Sequence, residues 1–421
     1  MNNFTANTYE MKRELINFSK KMSNGINKTK TKFIMDMTYG LATSGSVLTT
    51  EIARTLHETA HLKNVTERLD DNLAKLSEED HEIIKENYIN EMKNSFPQEP
   101  IIIGDYSDLA KRFGKKFEDL DKIVDASSPN NDVVNGYHVC ESVILTEREK
   151  QPISAYSKIF SCLSSGYKSM FEYFKESIIE AKRFVSEKKC TIVLDRGYDD
   201  VKVINFIDEL KDYFVIRMQD KRNFLFKGKK KNCYEMAIRR KGKVKMTLWF
   251  DDKEEYEVSI SHTKVVLPAN KKEYELVFVY GLDEEHPMIL LTNRKINSKE
   301  DVIKVVRIYF SRWRIEEYFR AKKQEYDFEN MRVRTLVSMN NLNFILTIYL
   351  GMLGKLAEEI DHRLLTIKII EESKSLRNKI VMWLSQMARG VKKVLSYAHE
   401  GIKKWQSIER RQKYKQIQLE L

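Results

Sequence analysis

Three acidic residues lie where carboxylates are suited to metal-ion chemistry. Asp105 follows the apolar run 101–103, and Asp195 follows the run 191–194. Such β-branched runs predict buried strands, and a strand that ends in a carboxylate holds it on a rigid support. Each Asp taken singly has an alternative role as a turn former. Together with Glu316 they predict a pocket for divalent cations.

Helix geometry favours Glu316 over its neighbour Glu317. At about 100° per residue, four polar residues of a helix over 309–323 share one narrow stripe. An apolar stripe beside them would dock this helix on the core, while Glu317 points about 100° away. A surface helix of mixed charge is the alternative interpretation. The polar stripe consists of Tyr309, Arg312, Glu316 and Lys323.

These residue types suit the hydrolysis and transfer of phosphodiesters. Two Mg²⁺ ions about 3.5–4 Å apart activate the attacking oxygen and stabilise the leaving oxygen, and Mn²⁺ is a possible substitute. Three carboxylates suffice because water and phosphate oxygens complete the coordination shells. Arg312 and Lys323 could then hold phosphates of the strand, and Tyr309 could donate to a phosphate or stack.

Two motifs resemble the bacterial DDE cut-and-paste transposases of the insertion-sequence-four family. The family's helix motif, Tyr-x2-Arg-x3-Glu-x6-Lys, matches the polar stripe at every spacing. Its second acidic motif is similar to the stretch Asp195-Arg196-Gly197-Tyr198. The first acidic motif is the loosest match: Asp108 competes with Asp105, which we prefer for its place beside the strand.

The resemblance covers about residues 100–330 and implies a ribonuclease-H-like core. It implies that Asp105, Asp195 and Glu316 hold two Mg²⁺ ions and cut DNA at the transposon ends. The freed 3′-hydroxyl would attack the opposite strand to give a hairpin, and finally the target DNA. The implied partners are double-stranded DNA, both terminal inverted repeats and target, and a second copy of the chain, since two ends must be joined. Arg196 and Tyr198 are further expected DNA contacts.

The chain is predicted to be an α/β protein with four regions. Residues 1–96 are helical in pattern and contain a basic stretch; the segment 46–56 is compatible with half of a helix-turn-helix or with an ordinary amphipathic helix. Residues 97–212 and 293–334 form the mixed-sheet core, with one helix over about 301–330 and strands at 101–103, 134–145, 153–159 and 191–194. Residues 213–292 form an inserted antiparallel β domain, with strands at 213–217, 244–250, 256–260, 275–280 and 288–291. Residues 335–421 form a helical C-terminal region that is a candidate dimer contact.

The β-rich insert carries a strongly basic segment. Eleven Lys and Arg residues lie between positions 221 and 245, against the single acid Glu235. Phe224, Phe226, Tyr234 and Trp249 are interleaved with them or follow closely. A basic surface with aromatic residues suits DNA near a cleavage site, although a solvated lysine-rich hairpin is equally compatible. Trp249 is the candidate to cap a base flipped out of the duplex end, as in related enzymes.

Composition limits the class of protein. The 421 residues carry 73 Lys and Arg against 62 Asp and Glu, a net charge of +11, which favours a polyanionic partner. The mean hydropathy is −0.51, and no run of about 18 apolar residues or signal-like segment is apparent in the sequence. Four cysteines without a CxxC pair argue against zinc ribbons and disulfide scaffolds. We therefore expect a cytoplasmic, nucleoid-associated bacterial protein without a membrane span.

Two other functions remain open at this stage. One is a nuclease with the same core that cuts DNA without joining it, and the other is a non-catalytic DNA-binding protein derived from a transposase. Among weaker signals, His57 and His61 favour packing or solvent over a metal, and His138 beside Cys140 favours strand packing. The basic tail 410–415 could bind DNA or only aid solubility.

Overall fold

The computed structural model describes residues 3–125, 128, 130, 132–250, 254–283, 286–361, 363–374 and 383–398. The basic tail 410–415 lies outside these residues. The first helices of the chain are α1 (Asn3–Met22), α2 (Lys28–Ser44), α3 (Thr49–Thr55), α4 (Leu62–Lys75) and α5 (Glu78–Met92).

The predicted helical character of the N-terminal region is confirmed. Two of its helices begin at polar caps: the side chain of Asn27 caps α2, and Ser77 forms a capping box with Asp80 at α5. The helix expected within 46–56 is α3, which is only seven residues long and starts after Leu48 without a side-chain cap. Part of the positive charge of the basic stretch is balanced within the protein, because Lys21, Lys30 and Lys32 form ion pairs with acidic residues.

The central sheet contains the strands that the sequence predicts and three that it does not: β2, β7 and β8. In chain order they are β1 (Ile101–Ala110), β2 (Asp121–Val124), β3 (Val133–Leu145), β4 (Pro152–Phe160), β5 (Thr191–Leu194), β6 (Tyr213–Arg217), β7 (Asn223–Phe226), β8 (Lys229–Asn232), β9 (Val244–Phe250), β10 (Glu254–Val266), β11 (Glu273–Tyr280) and β12 (Met288–Thr292).

The first half of this sheet is a ribonuclease-H-like core, which confirms the predicted fold class. Its strand order is β4-β3-β1-β5-β6, with β4, β3 and β1 antiparallel and β1, β5 and β6 parallel. Helix α6 (Met170–Val185) connects β4 to β5, and α7 (Val201–Glu209) connects β5 to β6. The parallel strands need such crossovers, and their carboxyl ends meet at one edge of the sheet.

The inserted segment extends this sheet instead of forming a second one. Strand β6 pairs with β5 of the core, β12 pairs with β6, and the ladder continues through β11 and β10. Strands β7 and β9 both pair with β10, and β7 forms a hairpin with β8, which the short helix α8 (Cys233–Ile238) follows. The insert therefore reaches the core through backbone hydrogen bonds, and β6 belongs to both.

The single helix expected over about 301–330 is wrong, because two helices occupy the segment. Helix α9 (Lys299–Phe310) ends before α10 (Trp313–Glu325) begins. Across the junction the backbone makes i to i−3 hydrogen bonds, from Arg312 to Tyr309 and from Ile315 to Arg312. The Ser311 hydroxyl also donates to the carbonyl of Ile308. A tightened turn of this kind changes the angle between successive side chains, so the 100° stripe does not extend across it.

Helices from both ends of the chain pack together behind the sheet. The last described helices are α11 (Leu336–Glu358), α12 (Leu364–Glu372) and α13 (Trp383–Ser396). Helix α13 contacts α1 and α2, and α11 contacts α4 and β4. By length and composition alone, helix α11 is long and apolar enough to cross a membrane. This finding qualifies the sequence-based exclusion of a membrane span. However, 78% of its most apolar window is buried inside the molecule, as in a core helix.

Candidate active site

Asp105 and Asp195 lie side by side at the carboxyl edge of the parallel strands. Strands β1 and β5 pair in parallel from Ile101 opposite Thr191 to Ile103 opposite Val193. The same register, continued by two residues, brings Asp105 opposite Asp195. The prediction that Asp105 ends its strand is wrong, because β1 continues to Ala110 in its pairing with β3. Only the pairing of β1 with β5 ends before Asp105, which leaves this edge of β1 open, and α10 packs against the strand.

Backbone N–H groups orient both carboxylates. Asp105 Oδ1 accepts from the N–H of Tyr106 at 2.8 Å, and Asp195 Oδ1 accepts from the N–H of Gly197 at 2.7 Å. A Cβ at residue 197 would lie 3.0 Å from Asp195 Oδ1, so glycine allows this close approach. The Asp-Arg-Gly-Tyr motif therefore has a local reason: its Asp caps the short turn Arg196–Tyr198.

Tyr198 is buried, which does not agree with the DNA contact expected from the sequence. It is 7% exposed, and its ring stacks on Tyr106 at 5.6 Å and packs against Phe174 at 5.0 Å between ring centroids. Because Tyr106 follows Asp105 directly, the stacked pair links the two acidic motifs. Burial raises the pKa of the Tyr198 hydroxyl, and the charge of Asp105 adds to this effect.

Glu316 reaches the same place from α10, and Arg312 lies between the carboxylates. Arg312 Nη2 is 2.5 Å from Glu316 Oε1, and its Nη1 is 3.6 Å from Asp105 Oδ2. The side chain of Glu316 is 53% exposed, so it faces an open cleft. Glu317, by contrast, is buried and paired with Arg314 at 2.8 Å. The two glutamates do point in different directions, but the prediction that Glu317 faces away from the core is wrong, because Glu317 is buried and Glu316 is the exposed one.

The three carboxylates influence one another electrostatically. Removal from water, together with the nearby charge of Asp195, raises the pKa of Asp105 to about 7. Glu316 adds to the rise, whereas Arg312 and the Tyr106 N–H oppose it. Burial tends to lower the pKa of the Arg312 guanidinium, but its anionic neighbours outweigh burial and raise it. The cluster is therefore a concentration of negative charge that binds positive charge.

A buried ion pair holds α10 on the sheet behind these residues. Lys322 Nζ is 2.9 Å from Glu141 Oε2, and both side chains are almost fully buried. Ser154 and Ser157 donate to the two oxygens of Glu141. Glu141 is also the cross-strand partner of Asp105 in the pairing of β3 with β1. The helix that carries Glu316 is thus attached next to the strand that carries Asp105.

Lys323 makes two ion pairs beyond the carboxylate cluster. Its Nζ lies 3.1 Å from Asp108 Oδ2 and 3.0 Å from Glu329 Oε1. Seven residues of helix from Glu316 to Lys323 span about 10.5 Å, which is about the rise of three strand residues from Asp105 to Asp108. Asp108, the competing candidate for the first acidic motif, therefore pairs with Lys323.

Tyr309 and Arg312 line a cleft that sequence reasoning did not predict. The cleft has a volume of about 360 Å³. Tyr309 is only 4% exposed, and burial raises its pKa, so the role predicted for it at the DNA end is restricted to this cleft. The sequence signal for an aromatic lining of this cleft was Trp313, which directly follows the motif residue Arg312. The cleft is lined by Arg217, Tyr256, Leu282, Met288, Tyr309, Phe310, Arg312 and Trp313.

Arg196 is exposed and borders a second cleft, of about 520 Å³. This cleft also contains Arg217 at the end of β6 and Lys221 at the start of the basic segment. Cationic side chains therefore continue from the acidic cluster toward the insert. The basic segment is less uniform than its sequence suggests, because Arg222 pairs with Asp199 at 2.5 Å.

The aromatic residues of the insert divide between core and surface. Phe224 is completely buried, so it cannot contact DNA as the sequence pattern allows. Phe226 is half-buried, with Arg240 over its ring at 5.3 Å. Trp249 lies in β9, but its side chain is outside the described part of the structure. Its expected role therefore stays a prediction.

The donor set fits divalent cations that prefer oxygen. Asp105 and Glu316 offer carboxylate oxygens on two sides of the Arg312 guanidinium, and Asp195 lies beside Asp105. The oxygens of all three are not within 4.8 Å of one another, because the guanidinium stands between Asp105 and Glu316. The Glu316 side chain is exposed, so it can change its rotamer. The three residues therefore fit the expected Mg²⁺ ions once the Arg312 guanidinium leaves its position between Asp105 and Glu316.

Comparison with known protein families gives a match to part of the chain. Residues 163–351 match the family model of the transposase DDE domain. The matched segment contains Asp195 and Glu316, whereas Asp105 lies before it. No curated protein matches the chain.

Proposed function

We propose, starting from the transposase DDE domain at residues 163–351, that this protein cuts DNA at transposon ends and joins them to target DNA. Asp105, Asp195 and Glu316 would hold two Mg²⁺ ions, for which Mn²⁺ could substitute. The family would be the insertion-sequence-four type, from the Tyr-x2-Arg-x3-Glu-x6-Lys motif. Two observations carry the proposal: Asp105 of β1 lies beside Asp195 at the end of β5, and Arg312 contacts both Asp105 and Glu316 of α10.

Each side chain has a separate task in this proposal. The bound ions would polarise the scissile phosphate and make a nucleophile of water or of a 3′-hydroxyl. Backbone N–H groups keep Asp105 and Asp195 in fixed orientation, so little reorganisation is needed. Arg312, displaced from its carboxylate partners, is placed to bind a phosphate of the cut strand. Tyr309 and Trp313 would border the distorted DNA end in the neighbouring cleft.

DNA would extend from this cluster along the cationic surface of the insert. Many of the basic side chains between 221 and 245 are exposed, including Lys229 and Lys230 of the hairpin β7–β8. Phosphate contacts of this kind give affinity without sequence specificity. Sequence-specific binding of the terminal repeats is proposed for residues 1–96. Joining two ends requires two catalytic sites, so we propose a homodimer on DNA.

The decisive experiment uses the full chain and a supercoiled plasmid that carries its gene with the natural flanking DNA. Mg²⁺, Mn²⁺ or EDTA is added together with a second plasmid as target. A transposase gives metal-dependent excision and a joined product in the target plasmid. Cutting without joined product would support the nuclease alternative, and binding without metal-dependent cutting would support a non-catalytic protein.

Replacing Lys323 by alanine should weaken DNA binding in a salt-dependent way. If Lys323 exchanges Asp108 and Glu329 for a phosphate, its loss lowers the slope of log K against log salt by about 1. The measurement is fluorescence anisotropy with a labelled duplex from the gene's flank at several NaCl concentrations. Lys355→Ala is the matched control, since Lys355 pairs with Glu91 in the helical region. An unchanged slope in the Lys323 variant would remove this residue from the DNA interface.

A further inference from the structure

Three residues of different chemistry meet near the outer strands β2, β3 and β4. Asp121 begins β2, His138 lies in β3, and Cys162 follows the end of β4. One carboxylate oxygen, one ring nitrogen and the Sγ atom all lie within 4.8 Å of one another. Among the described residues this is the only group of three or more such side chains that approach so closely. The sequence pattern associates His138 with Cys140, whereas the fold associates it with Cys162.

The acid and the cysteine are held together by the backbone. The N–H of Cys162 donates to Asp121 Oδ2 at 2.9 Å, and the N–H of Lys122 donates to Oδ1 at 2.7 Å. The turn that carries Cys162 is itself fixed, because the hydroxyl of Ser161 accepts from the N–H of Leu163 at 3.0 Å. The two ligand atoms are therefore positioned by local structure.

An aromatic stack fixes the imidazole. The ring of His138 lies on Phe160 with centroids 5.5 Å apart and an interplanar angle of 28°. Phe160 in turn stacks on Tyr173 of α6 at 4.0 Å. His138 and Phe160 are also cross-strand partners in the pairing of β3 with β4. The ring is thus restrained by both strand pairing and packing, so little freedom is lost if it binds a ligand.

The set of donor atoms suits a divalent transition-metal ion of intermediate softness, such as Zn²⁺, better than Mg²⁺. A thiolate and a carboxylate supply two negative charges, which matches a divalent ion, and an imidazole nitrogen is a neutral third ligand. Zn²⁺ takes sulfur, nitrogen and oxygen ligands of this kind at about 2.0–2.3 Å in tetrahedral geometry. Mg²⁺ prefers an octahedron of oxygens. Cys162 is exposed, so an ion can enter from solvent.

We propose that Asp121, His138 and Cys162 bind one Zn²⁺-like ion that connects β2, β3 and the segment after β4. The fourth tetrahedral position would hold water. Binding releases the thiol proton to solvent. The site is separate from the acidic cluster, since Asp108, the cross-strand partner of His138, binds Lys323 instead. A bound ion would connect β2, β3 and the segment after β4, and its fourth position would stay open to solvent.

The test uses Co²⁺ as a spectroscopic substitute in the full chain with Asp105→Asn and Glu316→Gln. These changes weaken the acidic cluster as a competing site. We expect one tightly bound ion per chain and a thiolate-to-cobalt charge-transfer band in the near ultraviolet. Cys162→Ser should remove the band, and His138→Gln should weaken binding by about 100-fold or more. His61→Gln, at an exposed histidine before α4, is the control and should behave like the parent.

A second measurement, thermal unfolding, shows whether the Cys162→Ser variant is folded. Zn²⁺ should raise the thermal unfolding midpoint of the parent relative to EDTA, and this rise should be absent in Cys162→Ser. The proposal is overturned if the parent shows no charge-transfer band, or if Cys162→Ser retains the band. Neither readout depends on DNA cleavage, so a failure here is distinguishable from a failure of the proposed transposase activity.

Discussion

We expect the Glu316→Gln protein to lose metal-dependent DNA cleavage while it still binds DNA. Glutamine keeps the size of the side chain and an oxygen that can accept from Arg312, so the fold around α10 is retained. It removes the negative charge that the ions need, and ions of this kind supply several kcal/mol of stabilisation to the transition state. A loss of about 4 kcal/mol corresponds to a rate about 10³-fold lower. The measurement is plasmid cleavage with Mg²⁺ under single-turnover conditions.

Asp108→Asn is the matched control for the acidic cluster. Asp108 lies on the same strand as Asp105, but it pairs with Lys323 and not with Arg312. We expect Asp108→Asn to cleave near the wild-type rate, while Asp105→Asn and Asp195→Asn resemble Glu316→Gln. Wild-type cleavage by the Glu316 variant would disprove the assignment of the three carboxylates. Loss of cleavage in the Asp108 variant alone would identify the competing first motif.

We expect the Lys322→Met protein to be strongly destabilised. Lys322 and Glu141 are 1% and 0% exposed, so the substitution leaves a carboxylate buried without its cation. Breaking a buried ion pair in this way costs about 3–5 kcal/mol. The hydroxyls of Ser154 and Ser157 still donate to Glu141 but do not neutralise it. The measurement is the apparent free energy of unfolding in urea, followed by circular dichroism.

Two variants distinguish the loss of charge balance from simple loss of packing. In Glu141→Gln with Lys322→Met both charges are absent, and we expect most of the stability to return, since a neutral buried pair is often as stable as the ionic one. Lys355→Met removes a lysine whose pair with Glu91 is 32% and 17% exposed. It should cost about 1 kcal/mol or less. If Lys322→Met is no worse than Lys355→Met, the buried pair does not hold α10.

Much of the core could be predicted from the sequence because its signals are local. The runs 191–194 and 213–217 are predicted with the bounds that the structure shows. Polar residues flank these β-branched runs and mark where each strand begins and ends. A strand that is buried on both faces of a parallel sheet requires such a continuous apolar run. The position of Asp195 follows from the same reasoning, since it leaves the buried strand β5 at the edge of the sheet. Asp105, expected at the end of a strand over 101–103, instead lies inside β1, because this strand continues to Ala110 through its pairing with β3.

Features that depend on distant partners could not be predicted. The break between α9 and α10 arises from Ser311 and a tightened turn, and no residue there is a strong helix breaker. The burial of Tyr198 and Tyr309 depends on neighbours from other elements, such as Tyr106. The insert is continuous with the core because β12 pairs with β6 through backbone hydrogen bonds. Backbone pairing of this kind does not require particular residue types, so the sequence pattern does not reveal which strands pair.

The amino-acid sequence alone determined the residue types of the acidic cluster, their supports and the spacing of the helix motif, because strands and helices impose short periods that residue patterns reveal. Tertiary structure decided which groups share a site. It brought Arg312 between Asp105 and Glu316, gave Lys323 to Asp108, and joined Asp121 and His138 to Cys162. Such pairings follow from strand order and helix docking, in which residues far apart in the chain become neighbours through the energetics of the whole core.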